Sequence, residues 1–372
     1  MTQTPTDTPY NCIVIGGGPA GATAATLLAD QGHRVLILEQ ASFPRHHIGE
    51  SLMPATYWIF KRIGMLEKMK AANFPKKQSV QFISASAAES RPYYFTDRDP
   101  HESSITWQVQ RDVFDKMMLD NATEHGAEVH HGVRVRRVLF DNDRATGVEF
   151  TRDGKPARLD AKVVIDASGQ SSIIARQLDL RQPDPYLKKA AIYAYYKGAA
   201  RDTGRNAGAT IIIRTPDHDG WFWYIPLPDN LASIGVVAAP TYLCTGRGDD
   251  PLATLEEEIA RCPGIAKRLA TAERITGAYV TSDFSYHARR MVGHGWVLVG
   301  DAFGFIDPVY SSGVMLALKS AEFAADAIHE ALQANDLSAR RLGTFTPKYI
   351  AGLQLLRWLV HVFYDETFSF AR

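Results

Sequence analysis

Short apolar runs along the chain predict buried strands that alternate with helices. Continuous apolar runs of this length are typical of strands covered on both faces in a parallel sheet. They are CIVI at 12–15, VLILE at 35–39, KVVID at 162–166 and WVLV at 296–299. An alanine-rich stretch of helical length joins the first two runs. Further helices are predicted from about residue 55, over about 108–125, over 314–332 and over 345–363.

A different pattern fills the middle of the chain. Between Ala190 and Ala239, short stretches rich in β-branched and aromatic residues follow one another, which predicts an antiparallel sheet. Residues 128–150 are expected to form a small sheet with a turn at 141–143. We predict an α/β protein with a second, antiparallel-sheet substrate domain and a C-terminal helix. The predicted parts are a discontinuous Rossmann-like nucleotide domain (1–72, 108–180 and 282–335), the substrate domain (73–107 and 181–281) and a C-terminal helical segment (336–372).

The most informative stretch is the glycine turn between the first strand and the first helix. Gly16, Gly18 and Gly21 follow the strand in the G-x-G-x-x-G spacing, with Ala20 inside it. This spacing provides a tight turn, close approach of a pyrophosphate to the backbone, and close packing of helix on strand. Glu39 ends the second strand, where a carboxylate accepts from a ribose hydroxyl. The unit therefore predicts a dinucleotide site at a helix N-terminus.

Composition excludes several classes of partner. The 41 basic and 41 acidic residues balance, so bulk charge implies neither nucleic acid nor an acidic membrane. No apolar run is long enough to span a bilayer, and the N-terminal segment lacks signal-peptide features, so a cytoplasmic location is expected. The cysteines Cys12, Cys244 and Cys262 have neither disulfide nor metal-site spacing, and no metal site is predicted.

Polar side chains near the predicted strand ends are candidates for cofactor contacts. Arg45 and Gly49 lie in the loop PRHHIGE, which follows the ribose-binding acid and is expected to run over a bound nucleotide. Arg111 begins a helix and falls on one face with Asp115. Asp301 ends a parallel strand, where it can reach a ribityl hydroxyl.

Two other features have both a structural and a functional interpretation. Lys76 and Lys77 precede a strand, and such a pair is ordinarily solvated surface. Trp221 and Trp223 project from one face of a strand, where aromatic residues usually belong to the core. The residues alone leave both alternatives open.

Several motifs together resemble a known family. GGGPAG with Glu39, then DASG, then GDA resemble the FAD-dependent monooxygenase superfamily of the para-hydroxybenzoate hydroxylase type, over nearly the whole chain. PRHHIGESLMP, WFWYIP and GDAFGFIDPVYSSGVMLAL resemble the flavin-dependent halogenases within it. The resemblance implies an oxidoreductase that binds FAD. Gly313 and Val314 stand at the start of a predicted helix, whose free N–H groups can bind an anion or a flavin carbonyl, and they are further candidate cofactor-binding residues.

The resemblance also implies a mechanism and its residues. Flavin reduced by a separate reductase, with O2, oxidises chloride or bromide to hypohalous acid, which passes through a tunnel to a lysine. Lys77 matches the lysine of the family motif F-x-x-K-x-G, although Ser79 replaces the glycine. The turn Ser311, Ser312 and Gly313 resembles the halide site, and Trp221, Trp223 and Pro308 are placed near the flavin and tunnel.

Two departures bear on the substrate. Tryptophan halogenases have a glutamate where this chain has Tyr310, so the sequence favours phenols, pyrroles or acyl groups held on a carrier protein. The family also continues into a C-terminal lid, so we expect a site that is open, completed by a partner, or changed in function. The alternatives are a flavin monooxygenase or reductase on the same scaffold, and an idle flavin-binding protein. Asp283 is a further candidate for the flavin edge.

Overall fold

The structure, a computed structural model, describes residues 9–216, 220–282 and 284–365, so the candidate Asp283 lies outside the described residues. The strands are β1 (Tyr10–Ile15), β2 (Val35–Glu39), β3 (Lys76–Lys77), β4 (Ser79–Ile83), β5 (Tyr93–Tyr94), β6 (Thr106–Trp107), β7 (Glu128–His131), β8 (Arg134–Asp141), β9 (Arg144–Arg152), β10 (Lys155–Asp166), β11 (Arg181–Pro183), β12 (Ala190–Lys197), β13 (Thr210–Arg214), β14 (Trp221–Pro226), β15 (Leu231–Ala238), β16 (Glu273–Arg274), β17 (Tyr279–Ser282), β18 (Tyr286–Ala288), β19 (Val292–Gly293), β20 (Trp296–Leu298) and β21 (Gly304–Phe305). The helices are α1 (Pro19–Asp30), α2 (Thr56–Arg62), α3 (Leu66–Ala71), α4 (Arg111–Glu124), α5 (Ile173–Gln177), α6 (Pro240–Leu243), α7 (Pro251–Arg261), α8 (Pro263–Leu269), α9 (Gly313–Gln333), α10 (Ala339–Leu342) and α11 (Thr346–Tyr364).

The first sheet brings the predicted buried strands together. Its central order is β19, β20, β10, β1, β2, β7, and the strands from β20 to β7 run parallel. Ile13 pairs with Val164 on one side and with Leu36 on the other, and all three side chains are fully buried. Helices α1 and α9 pack together on one face of this sheet. The carboxyl ends of β1, β10 and β20 therefore meet at one edge, where ligands bind in such sheets.

The expectation of a separate small sheet over residues 128–150 is wrong in part. Strand β7 joins the first sheet beside β2, and only β8 and β9 form the predicted hairpin. The hairpin turn includes Asn142, whose φ of +53° is left-handed. Strand β10 then changes partner along its length, since its first half pairs with β9 and its second half with β1.

The second sheet is the predicted antiparallel one. Its order is β16, β12, β15, β14, β13, β4, β5, with β17 also paired to β12. One contact is parallel, because β4 arrives from an earlier part of the chain and pairs with β13. The predicted mixed α/β architecture with a largely antiparallel second sheet is confirmed. The residue ranges assigned to the two domains stay a prediction.

Helix α11, the predicted C-terminal helix, contacts both layers. Near its start, the hydroxyl of Tyr349 donates to the carbonyl of Leu316 in α9 at 3.4 Å. Near its end, Phe363 packs against the indole of Trp221, with ring centroids 6.2 Å apart, and its carbonyl accepts from Arg214 at 3.2 Å. The helix thus links α9 to the second sheet.

Candidate functional site

The glycine turn is shaped by two close approaches of backbone to backbone. Gly16 has a φ of +100°, and a Cβ there would lie 2.6 Å from the carbonyl oxygen of Ala167 in the turn after β10. A Cβ on Gly21 would lie 2.0 Å from the carbonyl oxygen of Gly16. Neither position can hold a side chain without movement of the backbone. The turn therefore lies directly against the neighbouring strand end, and α1 begins at Pro19.

Glu39 fixes the same turn from the side of β2. Its carboxylate accepts from the N–H of Gly17 at 2.7 Å and from the N–H of Ala41 at 2.8 Å. The side chain is almost fully buried. Each oxygen retains a lone pair after these bonds, so the carboxylate can still accept from a ribose hydroxyl.

A cavity of about 590 Å³ opens at the carboxyl ends of the parallel strands. Its size is within the usual range of cofactor and ligand sites, about 300 to 1,000 Å³. Nearly all of the predicted cofactor-binding residues line it: Gly16, Gly18, Ala20, Glu39, Arg45, Gly49, Arg111, Asp301, Gly313 and Val314. Trp223 and Pro308 line it too. Gly21 and Trp221 are not among its lining residues.

Two arginines over the cavity are held by one buried carboxylate. Arg111 donates to Asp115 in a bidentate contact at 2.7 and 3.0 Å, as their spacing on α4 predicts. Arg45 reaches the same carboxylate at 3.3 Å. Arg111 also donates to the carbonyl of Ile48 at 2.5 Å, which ties the loop before Gly49 to α4. Asp115 is fully buried, so this cluster fixes the direction of both guanidinium groups.

The far end of the cavity lies between Asp301 and the start of α9. Burial raises the pKa of Asp301 to about 6, and the nearby Arg111 opposes that shift. Of the predicted halide turn, Ser311 has a φ of +56° and its N–H donates to the carbonyl of Pro308 at 2.9 Å. Ser312 is the N-cap of α9 and Gly313 is its first residue, so neither N–H group has a partner within the helix.

The paired tryptophans lie between the two layers, with ring centroids 6.1 Å apart. Trp223 lines the cavity, and its indole N–H donates to the hydroxyl of Ser233 at 3.1 Å. The indole N–H of Trp221 donates to the hydroxyl of Tyr364 in α11 at 2.9 Å. That hydroxyl donates to the carboxylate of Asp307 at 3.0 Å. The strand bearing the tryptophans is thereby tied to the turn that precedes α9.

The structure distinguishes the two neighbouring lysines. Lys76 is exposed, whereas the side chain of Lys77 is 2% exposed. The Lys77 amine donates to the hydroxyl of Ser51 at 2.8 Å and to the carbonyl of Leu52 at 3.1 Å. It lies 5.7 Å from the centroid of the Phe95 ring. Burial lowers the pKa of Lys77 from 10.5 to about 7. The solvated-surface interpretation therefore fits Lys76 and not Lys77.

Ser51 connects this amine to the loop that lines the cavity. The chain passes from Gly49 at the cavity through Glu50 to Ser51 at the amine. Glu50 is also buried, and one of its carboxylate oxygens accepts from the hydroxyl of Tyr195 at 2.6 Å. Its other oxygen has no partner among the described residues, and burial raises the pKa of this carboxyl. A single residue, Glu50, thus separates the cavity lining from the partner of the Lys77 amine.

Several residues of the site were missed by sequence reasoning. Ser168, Gly169 and Gln170 line the cavity, and the DASG motif was the signal for them. Tyr193 and His46 line it from the side of the second sheet, with the His46 ring 3.1 Å from the Tyr193 hydroxyl. The partners of the Lys77 amine, Ser51 and Leu52, were missed as well, because they come from a distant segment. The Ser51 hydroxyl in turn contacts Thr210, which accepts from Gln108, and neither of these two lies in a motif.

The cavity fits a flavin dinucleotide by its shape and chemistry. At Gly49 a Cβ would lie 3.0 Å from the Arg111 guanidinium, and at Gly18 it would lie 3.4 Å from that of Arg45. Bare backbone and two cations thus face the region where a pyrophosphate lies in folds of this kind. Glu39 at one end and Asp301 at the other are placed for ribose and ribityl hydroxyls.

Metal-ligand clusters and membrane-spanning helices are both absent from the described residues. Within residues 9–216, 220–282 and 284–365, no three or more His, Cys, Asp or Glu side chains cluster as metal ligands would. Over those same ranges, every helix is too short or too polar to cross a lipid bilayer.

Comparisons with known proteins agree with this geometry. Residues 10–344 match the FAD binding domain family. The chain is 34% identical to the 1H-pyrrole-2-carbonyl-(peptidyl-carrier protein) brominase of Pseudoalteromonas luteoviolacea, over 88% of this chain and 79% of the brominase. It is 32% identical to the corresponding chlorinase of Pseudomonas fluorescens, over 89% of this chain and 78% of the chlorinase. The solved structure of the myxobacterial chondrochloren halogenase superposes with a TM-score of 0.89 at 36% identity, over 97% of this chain and 83% of that one. The chain carries an FAD-binding domain and belongs to the flavin-dependent halogenases, a family of FAD-dependent oxidoreductases.

Proposed function

We propose that this halogenase passes hypohalous acid from the flavin cavity to Lys77, and from there to an electron-rich aromatic substrate. The observation that carries the proposal is the placement of the Lys77 amine. It is buried, it is not ion-paired with any described residue, and it is bonded to the residue two positions after the cavity-lining Gly49. A surface lysine has none of these properties.

The residues that would hold FAD are the predicted ones that line the cavity. The glycine turn, Arg45 and Arg111 would contact the pyrophosphate, and Glu39 and Asp301 would accept from hydroxyl groups. When bound and reduced, FAD supplies with O2 the oxidising power that converts halide to hypohalous acid. A separate reductase is the proposed source of reduced flavin, because the sequence shows no second nucleotide-binding unit.

The halide would lie at the start of α9. A chloride or bromide without a basic side chain needs converging N–H donors. Gly313 offers such a donor at the cavity and Ser312 precedes it, while the N–H of Ser311 already donates to Pro308. Ser311 therefore contributes the left-handed bend that presents the other two groups.

Burial of Lys77 serves the chemistry in a direct way. A buried amine with a pKa near 7 can hold hypohalous acid where bulk water does not reach it. In water the acid would diffuse away. Two roles are compatible with the family pattern. Lys77 acts either as an ammonium that hydrogen-bonds hypohalous acid or as a neutral amine that takes up the halogen.

A pyrrole held on a carrier protein is the first candidate substrate, with free phenols second. The brominase and chlorinase that resemble this chain are named for such a carrier-bound pyrrole. Tyr310, which stands where tryptophan halogenases have a glutamate, donates its hydroxyl to the carbonyl of Leu359 at 3.1 Å. Burial raises its pKa further, so it cannot replace a carboxylate as a base.

The experiment is a product screen by mass spectrometry. The protein is supplied with reduced FAD, O2 and either chloride or bromide, and is offered pyrrole-2-carbonyl carrier protein, a phenol panel and tryptophan. We expect a halogenated product from the carrier-bound pyrrole or a phenol, with none when halide is omitted. A hydroxylated or reduced product that forms equally well without halide would contradict the proposal.

A further inference from the structure

The proposed halide turn, residues 311–313, contains backbone that needs support from its surroundings. Ser311 has a φ of +56°, a left-handed conformation that is unfavourable for a residue with a side chain. Such backbone persists only where the surrounding structure fixes it. The N–H of Ser311 donates to the carbonyl of Pro308 at 2.9 Å, which ties the turn to the residues just before it. The position of those residues therefore bears on the shape of the turn.

The last two turns of α11 hold both ends of the four-residue segment that precedes the halide turn. The hydroxyl of Tyr364 donates to the carboxylate of Asp307 at 3.0 Å, and the hydroxyl of Tyr310 donates to the carbonyl of Leu359 at 3.1 Å. The ring of Phe363 contacts the rings of both tyrosines, with centroid distances of 6.2 Å to Tyr310 and 5.2 Å to Tyr364. We call the two hydrogen bonds the helix clamp.

Asp307 carries the first contact of the helix clamp into the backbone. Its other carboxylate oxygen accepts from the N–H of Val309 at 2.9 Å, and its side chain is 1% exposed. A carboxylate that accepts from the N–H two residues ahead fixes a local turn. Through Asp307, Tyr364 thus holds the backbone at the entrance to the halide turn.

The second sheet fixes the end of α11 that bears the clamp. The indole N–H of Trp221 donates to the hydroxyl of Tyr364 at 2.9 Å, and the carbonyl of Phe363 accepts from Arg214 at 3.2 Å. An indole nitrogen can only donate, so the Tyr364 hydroxyl keeps its own hydrogen for Asp307. The helix clamp is therefore anchored to β13 and β14.

We propose that the helix clamp sets the affinity of the halide turn for its ion, with Tyr364 and Tyr310 as positioning residues. The inference rests on the proposed function, in which the halide lies at the start of α9. An ion held by backbone N–H groups binds more tightly when those groups are preorganised, because ordering them on binding costs affinity. Both tyrosines act through the backbone between Asp307 and Ser311.

The charge of Asp307 gives the proposal a definite sign. Burial raises the pKa of Asp307 to about 7, and the bonds from Val309 and Tyr364 oppose that shift. Loss of the Tyr364 donor would therefore favour the neutral carboxyl, and less negative charge beside the turn would strengthen halide binding. Loss of the clamp acts in the opposite direction, because it loosens the N–H groups. The bond from Tyr310 to Leu359 involves no charge, so its removal tests the loosening alone.

The test is a chloride titration of the protein with saturating oxidised FAD, without reductant and at pH 9, well above the pKa of Asp307. Chloride binding is followed by the flavin difference spectrum and by the 35Cl NMR line width. Tyr364→Phe and Tyr310→Phe each remove one hydroxyl of the helix clamp. We expect each variant to raise the Kd of chloride about fivefold, the worth of one net hydrogen bond of about 1 kcal/mol.

The matched control is Tyr349→Phe. That hydroxyl lies on the same helix and also donates to a carbonyl, at 3.4 Å, but its partner Leu316 lies outside the helix clamp. Weaker chloride binding in both clamp variants, with no change in the control, supports the inference. Unchanged or tighter binding in either clamp variant, or an equal loss in the control, overturns it. A wild-type protein without saturable chloride binding would refute the halide site itself, whereas unchanged binding in the variants refutes the clamp alone.

Discussion

The glycine turn and the Lys77 site are built in opposite ways. The turn is one continuous stretch in which backbone meets backbone, so a single added Cβ at Gly21 would lie 2.0 Å from a carbonyl oxygen. The Lys77 site is made of side chains from four separate segments, joined by hydrogen bonds of 2.7 to 3.1 Å. Backbone contacts thus fix the glycine turn, whereas hydrogen bonds and burial fix the Lys77 amine. Substitutions at the two places should therefore change different properties of the protein.

The largest expected effect is at the glycine turn. Gly21→Ala should destabilise the protein by about 3 kcal/mol or more and abolish FAD binding, because no flexible side chain can move aside. Gly18→Ala is the matched change, since its Cβ would meet only the end of Arg45 at 3.4 Å. Thermal unfolding and FAD fluorescence titration measure both. Equal losses of stability in the two variants would contradict a turn fixed by backbone contact, whereas a loss of FAD affinity alone in Gly18→Ala would not, because Gly18 itself lines the cavity.

The second effect concerns the buried carboxylate under the two arginines. Asp115→Asn should cost about 3 kcal/mol of unfolding free energy and weaken FAD binding, because it leaves Arg111 buried without its counter-ion. Asp120→Asn on the same helix breaks the exposed pair with Lys116 and should leave stability unchanged. Chemical denaturation and FAD titration compare the variants. A silent Asp115→Asn would show that the cluster does not position the arginines.

The third effect is a dependence of protein stability on pH that comes from Lys77. The pKa of Lys77 falls from 10.5 to about 7 on folding, so the unfolded chain binds more protons between those values. The stability of the wild-type protein should therefore rise with pH across that window, by at most about 1.4 kcal/mol per pH unit. Lys77→Met should lack this rise. Denaturation of both proteins from pH 6.5 to 10 measures the difference, and parallel curves would show that Lys77 is not desolvated.

The smallest effect separates the two tryptophans. Trp223 lines the cavity and Trp221 bonds to Tyr364, so Trp223→Phe should change FAD affinity or the flavin absorption spectrum. Trp221→Phe should leave both unchanged and lower stability by about 1 kcal/mol, because its hydrogen bond to Tyr364 is lost. Flavin spectra and thermal unfolding distinguish the variants. A larger flavin change in Trp221→Phe would reverse the assignment.

The same contrast explains how much could be predicted from the sequence. The nucleotide unit was predictable because its contacts lie within one continuous strand–turn–helix–strand stretch, so the spacing of its residues indicates them. These residues are Gly16, Gly18, Gly21 and Glu39. Lys77 was predictable only through a family motif, since two adjacent lysines look alike in sequence.

The partners of Lys77 could not be predicted. Ser51 contacts Lys77 across 26 residues of chain, and Ser51, Gln108 and Thr210 meet through a Ser51–Gln108 bridge and side-chain hydrogen bonds, which no local periodicity encodes. Strand β7 was misplaced for a related reason. Its four residues, Glu-Val-His-His, include a single apolar side chain, so their pattern does not show whether they join the hairpin or the first sheet.

The central claim is that one buried amine passes halogen to the substrate, and a pair of alanine variants tests it most directly. Halogenated product and FAD affinity are measured for Lys77→Ala and Lys76→Ala under the same supply of reduced flavin, O2 and halide. We expect Lys77→Ala to bind FAD normally and lose halogenation by at least about a hundredfold, the lower end of the range for loss of a general acid or base. Lys76→Ala should keep both. Halogenation that survives in Lys77→Ala, or that is lost in Lys76→Ala instead, would contradict the account.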